Sequence, residues 1–291
     1  MTILYRLKKW LRGLQSHLLP QHYLLLLLGL LALIAIVLVV SLKDEPDPLL
    51  ATEMDPIYDR AVLRVGVRED VPKFCMRQGD TYTGIEAEIA HALAERIFSD
   101  PTKVEFVKVD FTTRGIKLKT DAIDCLIAVS PQGFSSDFVY SDAYYTDAVG
   151  IVVMAQGASS VTELSGKTIG SISRAGSLKK QGALDVLKDF NQSTKLGCTI
   201  KEYTSAPDMF GDLKNGKIDA IALESALIQL YFTDSMRLLP DAIGTIPYAI
   251  AVMPGNKPLA KIATDMLSSM FGDTSLYALW DKYGLRDFRV Q

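Results

Sequence analysis

The chain has no Gly-x-Gly-x-x-Gly, no phosphate-binding loop ending in Gly-Lys-Ser/Thr, no Ser/His/Asp pattern and no paired-histidine metal motif. Histidine is scarce: of His17, His22 and His91, only His91 lies beyond the first 42 residues, on the polar face of an expected helix. The three cysteines, Cys75, Cys125 and Cys198, stand singly, with no Cys-x-x-Cys and no metal-like spacing. These absences point away from nucleotide cofactors, hydrolase triads and bound metal; no cofactor and no catalytic residue is assigned. If any two cysteines are oxidised, Cys75 and Cys125 are the expected pair, with buried free thiols the alternative. Basic residues are also missing locally, since no lysine or arginine occurs between Lys119 and Lys167.

Charge is unevenly placed. Residues 1–42 hold Arg6, Lys8, Lys9 and Arg12 and no acid, so the rest carries 27 basic against 34 acidic residues. An acidic remainder argues against nucleic acid and against binding anionic lipid through net charge. Residues 23–42 contain no charge and are mostly Leu, Ile and Val. That length matches a helix crossing about 30 Å of hydrocarbon. The positive-inside bias then keeps residues 1–22 in the cytoplasm as a basic segment and sends the chain after Leu42 outside. A cleaved signal peptide is the competing reading, but its apolar region is usually shorter, and Val40-Ser-Leu-Lys43 offers no small-x-small site. The expected localisation is a cytoplasmic membrane, single-pass, N-terminus inside, with the domain after it extracytoplasmic. Residues 43–60, with Asp-Glu-Pro-Asp-Pro and little periodicity, read as a tether.

Two stretches repeat each other, Leu118-Lys-Thr-Asp-Ala-Ile-Asp124-Cys-Leu-Ile-Ala128 and Leu213-Lys-Asn-Gly-Lys-Ile-Asp219-Ala-Ile-Ala-Leu223. Each reads as a helix end, a polar turn and a buried strand, and each follows an alternating strand, at 104–109 and 199–204. The strand-helix-strand unit therefore occurs twice, which predicts an α/β protein of two similar lobes. Lobe 1 is expected over 61–149 and 246–291, and lobe 2 over 150–245. Open parallel sheets bind ligands at the carboxyl ends of their strands. Five residues past the shared aspartates, those ends are Val129 and Glu224. Further expected elements are a strand at Leu63–Val67, a helix from Gly84 to Phe98, a buried strand at 124–129, a strand from Ile246 and a helix from about Pro258 to Met270.

Leu63-Arg-Val-Gly-Val-Arg-Glu-Asp-Val-Pro-Lys-Phe74 and Tyr82-Thr-Gly-Ile-Glu-Ala-Glu-Ile-Ala90, followed in order by Tyr140-Ser-Asp-Ala-Tyr-Tyr145, Gly170 to Ser177, Lys217-Ile-Asp-Ala220, Tyr248 to Asn256 and Leu276 to Leu285, carry a family resemblance. The chain resembles, over about residues 61–287, the bacterial extracellular solute-binding proteins that serve amino-acid ABC transporters. The resemblance implies a two-lobed, periplasmic-binding-protein-like (type II) fold, here behind an N-terminal transmembrane helix. It also implies a small-molecule ligand, an amino acid or related carboxylate, handed to an ABC permease and its ATPase.

By position, the family's first-lobe contacts fall on Arg68, Phe111 and Arg114, with Ser130 and backbone amides kept in the later loop as weaker contacts, and its second-lobe contacts fall on Gly176, Ser177 and Glu224. Basic residues at Arg68 and Arg114 resemble the binders of acidic side chains, and guanidinium forks suit carboxylates. Arg174-Ala-Gly176-Ser177 precedes a helix, a natural anion site and equally an ordinary N-cap. Glu224 stands where the family holds the ligand's ammonium group. The sequence departs from the family at the loop Ser130-Pro-Gln-Gly-Phe-Ser-Ser-Asp137, which is short and lacks the arginine for the ligand's α-carboxylate. Either Arg68 or Arg114 has taken that task, or the ligand has no α-carboxylate in the usual place. Some proteins resembling the family are cyclohexadienyl dehydratases acting on prephenate or arogenate, so an enzyme with Glu224 as general acid is the alternative. A sensory role is a third reading; it would need another protein for output.

Overall fold

The computed structural model describes residues 48–173 and 182–285. The expected span 23–42 and its flanks, together with Arg174, Gly176 and Ser177, lie outside the described residues. Among the described residues no helix is long and apolar enough to cross a membrane.

Helix α1 (Pro48–Arg60) leads into β1 (Leu63–Val67), a small antiparallel sheet of β2 (Asp70–Val71), β3 (Cys75–Gln78) and β4 (Thr81–Thr83), then α2 (Ile85–Phe98), β5 (Val104–Lys108), α3 (Arg114–Lys119) and β6 (Cys125–Leu126). The long strand β7 (Val139–Met154) is followed by β8 (Thr168–Ile172), α4 (Ala183–Thr194), β9 (Thr199–Tyr203), α5 (Ala206–Lys214), β10 (Ala220–Glu224) and the short α6 (Ser225–Ile228). The described chain closes with β11 (Met236–Leu238), β12 (Gly244–Val252), α7 (Lys257–Gly272) and α8 (Ser275–Lys282).

The large sheet runs β5-β1-β6-β12-β7-β10-β8-β9, with β11 beside β7. Its two halves mirror the sequence repeat: β5 and β6 flank β1 in parallel, and β9 and β10 flank β8 in parallel. The shared aspartates do the same work in both. The Asp124 amide donates to Arg64 O and its carboxylate accepts the Arg64 amide at 2.8 Å. Likewise the Asp219 amide donates to Thr168 O and its carboxylate accepts the Thr168 amide at 2.8 Å. Each aspartate thus sets the register at the start of a central parallel strand, closing backbone groups that would otherwise be unpaired. β7 and β12 run antiparallel side by side from Gly244 opposite Val149 to Val252 opposite Val139, so the halves are joined by continuous strands.

One apolar core, from Met54 through Trp280, underlies most of the sheet, and a smaller cluster of Val109, Leu118, Ile123, Leu126, Ala128, Phe138 and Ala251 sits beneath α3. Helix α2 packs Ile85, Ile89 and Leu93 inward, as their spacing dictates. It starts from Gly84, whose φ of +119° and whose missing Cβ, which would lie 2.2 Å from Phe74 O, require glycine.

Two expectations change. The stretch 43–60 read as an irregular tether is helical over Pro48–Arg60, with Met54 and Ile57 buried and Arg60 bonded to Asp124; Pro46, Pro48 and Pro56 obscured the helical spacing of Leu50, Met54 and Ile57. The strand expected over 124–129 is regular only at Cys125–Leu126; the Asp124 and Ile127 amides still donate to Arg64 O and Gly66 O of β1, but Val129 has left the extended conformation for φ +43°. Of the two alternatives for the cysteines, the structure shows buried free thiols: Cys75, Cys125 and Cys198 are all unpaired.

Candidate functional site

The carboxyl ends of β1, β5 and β6 bring four of the expected residues into contact. Arg68 follows β1 and lays its guanidinium over the Phe111 ring at 4.7 Å. Arg114 opens α3 and lies 5.1 Å from the Phe111 centroid and 4.2 Å from that of Phe134. Its Nη1 donates to Ser130 Oγ at 3.2 Å. The result is a ladder of Arg68, Phe111, Arg114 and Phe134, in which the Phe111 ring packs against two guanidiniums from the protein itself.

Both arginines are almost wholly removed from water, at 8% and 5% exposure, and Phe111 stays 39% exposed at the rim. Arg68 is clamped by Asp70 through Nε at 2.8 Å and Nη2 at 2.7 Å, while its buried Nη1 has no hydrogen-bond partner among the described residues. A buried, unpaired guanidinium N–H is costly and stands ready for an acceptor. The Arg68 guanidinium holds the Asp70 carboxyl below the usual carboxylate range.

Behind the ladder the turn Ala128–Ser130 is fully buried. Ser130 Oγ donates to Ala128 O at 3.2 Å, and Ser130 O accepts the Ala249 amide from β12. Glu86 Oε1 accepts the Val129 amide and the Tyr144 hydroxyl. Burial pushes the Glu86 carboxyl up to about 7, against the pull of those donors and of the Arg68 charge.

In the other half of the sheet, Glu224 ends β10 at 1% exposure, opposite Val149 of β7. Beside it Asp147, also buried, accepts the Ala226 amide at 2.9 Å and the Tyr248 hydroxyl at 2.8 Å. Burial raises Asp147 to about 7, and the Glu224 charge adds to the rise. A cavity of about 600 Å³ opens between Phe111, Arg114 and Phe138 on one side and Ile172, Leu184 and Lys188 on the other. That volume suits a small organic ligand. Its rim cations Lys119 and Lys188 are taken up by Asp137 and Glu202. Among the described residues no cluster of His, Cys, Asp or Glu is placed to hold a metal.

A family model for bacterial extracellular solute-binding proteins, family 3, matches residues 63–286. The chain belongs to that family. As a solute-binding protein it is similar to the L-cystine-binding protein TcyJ of Escherichia coli, 24% identical over 269 residues covering 88% of this chain and 94% of that one. Its two-lobed fold is that of the solute receptor for L-cysteine of Neisseria gonorrhoeae, with a TM-score of 0.60, 21% identity, and coverage of 79% of this chain and 92% of that one. The ancestral amino-acid-binding protein AncCDT-1, a precursor of cyclohexadienyl dehydratase, matches at TM-score 0.60 and 21% identity over 79% of this chain and 98% of that one.

Of the expected site residues in this solute-binding protein, Arg68, Phe111, Arg114 and Ser130 lie together, Glu224 lies at the end of β10, and Gly176 and Ser177 fall outside the described residues. Phe134, Glu86, Tyr144 and Asp147 were not anticipated. Glu86 had a signal: it shares the α2 face of Ile89, Ala90 and Leu93, an acid on an apolar stripe. Phe134 had none, since only the folded loop places it on Arg114.

Proposed function

We propose that the protein is a membrane-tethered, extracytoplasmic receptor that binds an amino acid carrying more than one carboxylate and delivers it to an ABC permease and its ATPase. The observation that carries this is the Arg114 guanidinium, stacked on Phe134 and bonded to Ser130, against the loop that lacks the family's arginine. Arg114 takes the α-carboxylate from that position, and Arg68, with its unpaired Nη1, takes a second carboxylate. Bidentate guanidinium contacts in a partly dry cleft are strong. Phe111 already packs against two guanidiniums, and their charge disfavours a cationic side chain stacking there. Glu224 takes the ammonium group.

Aspartate, glutamate and cystine share this chemistry, and the name of TcyJ supports the class. Tethering through residues 23–42 would keep the receptor near its permease by raising effective concentration. The dehydratase reading gains nothing from the AncCDT-1 match, since that protein is itself named as amino-acid-binding. Thermal-shift screening of the twenty amino acids plus cystine tests the proposal, because a ligand that binds only the folded state raises the melting point. Shifts with dicarboxylic amino acids support it; shifts confined to arginine or lysine overturn it.

A further inference from the structure

The turn that presents Ser130 is held from behind by a side chain no ligand contact explains. Val129 is β-branched and sits at φ +43°, a left-handed conformation such residues avoid. Its amide donates to Glu86 Oε1. The next residue, Ser130, accepts from Arg114 Nη1 at 3.2 Å. The same Glu86 oxygen accepts the hydroxyl of Tyr144, which lies on β7, the strand shared by both lobes.

Glu86 is wholly buried, and its Oε2 has no partner among the described residues. A buried carboxylate without a counter-ion is a poor device for stability, and an apolar residue of similar size often serves a core at least as well. Its geometry, however, joins the start of α2, the left-handed turn and the crossing strand at one atom. We propose that Glu86 is a positioning residue of the ligand site: it fixes the Val129 backbone in its left-handed turn and so sets Ser130 and Arg114 where the ligand's carboxylate docks. This rests on the amino-acid reading given above.

The charged and titratable groups that bear on Glu86 are Arg68 after β1, Tyr144 on β7 and Cys75 on β3. Glu88, the next acid of α2, is engaged on the outer side by Lys282 and Tyr283. An ionised carboxylate accepts a stronger hydrogen bond than a neutral one. Ligand affinity therefore rises as pH increases from about 6 to about 8, around the value of about 7 to which burial brings Glu86.

The test uses the full chain in detergent micelles, with wild type, Glu86→Ala and Glu86→Gln compared. Titration calorimetry with aspartate, glutamate and cystine at pH 6, 7 and 8 is paired with hydrogen exchange at the Val129 amide. Expected is a rise of about tenfold in Kd and in Val129 exchange rate for Glu86→Ala, the size of a lost buried hydrogen bond. Glu86→Gln recovers most of the affinity and has a shallower pH dependence than wild type, the remainder coming from Asp147, which burial also brings to about 7. Wild-type affinity in Glu86→Ala, or lost affinity with Val129 exchange unchanged, overturns the proposal. Should Glu86→Ala fail to fold, Glu86→Gln decides: a pH profile identical to wild type overturns it. If wild type binds no amino acid, the amino-acid reading fails, and Val129 exchange still judges Glu86: unchanged exchange in both variants overturns the positioning role.

Discussion

Asp147→Asn should change how stability depends on pH. Asp147 is 2% exposed, accepts the Ala226 and Ala148 amides and the Tyr248 hydroxyl, and is raised from 3.8 to about 7 by burial and the Glu224 charge. Its folded value lies above its unfolded one, so between those values the folded state holds the extra proton. The stability it contributes is complete below about pH 4 and is lost as pH rises to about 7. At about 1.4 kcal/mol for each pH step of one between the two values, the loss between pH 5 and pH 8 is about 3 kcal/mol. Asparagine cannot ionise and has no such loss. It does turn one donor-accepting oxygen into an NH2, so the variant starts out less stable at pH 5 by about 1–2 kcal/mol. Urea unfolding of both proteins at pH 5, 6, 7 and 8 should show the gap closing and reversing as pH rises. Taking the difference removes Glu86, which burial raises in the same way in both. Parallel stability profiles across that range would refute the reasoning.

Arg114→Ala should weaken binding of a dicarboxylic amino acid by about a hundredfold, and Arg114→Lys should recover little of it, because an ammonium cannot reproduce the fork or the stacking on Phe134; calorimetry reads both. Gly84→Ala should destabilise the protein by more than about 3 kcal/mol, since the new Cβ meets Phe74 O at 2.2 Å and φ is +119°; denaturant midpoints check it, and a loss under about 1 kcal/mol contradicts it. Asp124→Ala should cost about 2–4 kcal/mol, because it leaves Arg60, Arg64 and the Arg64 amide without their shared acceptor, the lower end applying if water replaces it at the two partly exposed arginines. In contrast, Lys261→Ala, which loses an exposed pair with Asp265, should stay within about 0.5 kcal/mol of wild type.

Elements whose residues repeat with a strict period were legible in the sequence. Leu63–Val67 alternates and forms β1 with those bounds, and the Leu118 and Leu213 repeats fold as matching strand-helix-strand units. The shared aspartates were visible as a pattern, but their task was not, because it lies in contacts to Arg64 and Thr168, about fifty to sixty positions away. Val129 looked like strand since β-branched residues favour it; the Glu86 side chain overrides that preference from 43 positions earlier. In the site, Arg68, Phe111 and Arg114 stood out through the family resemblance, while strand-end geometry alone pointed only to Val129 and Glu224. Phe134 and Asp147 escaped notice: a loop aromatic and one acid beside an apolar run become specific only once α3, β7 and β12 are packed together.

The central claim is a cleft that binds a dicarboxylic amino acid through Arg68 and Arg114. Titration calorimetry of the full chain with aspartate, glutamate, cystine, glutamine and arginine tests it most directly. The account predicts one-to-one binding of at least one of the first three, lost in Arg114→Ala, with arginine weakest. Binding of arginine with none of the dicarboxylic amino acids, or affinity that survives Arg114→Ala, would contradict it.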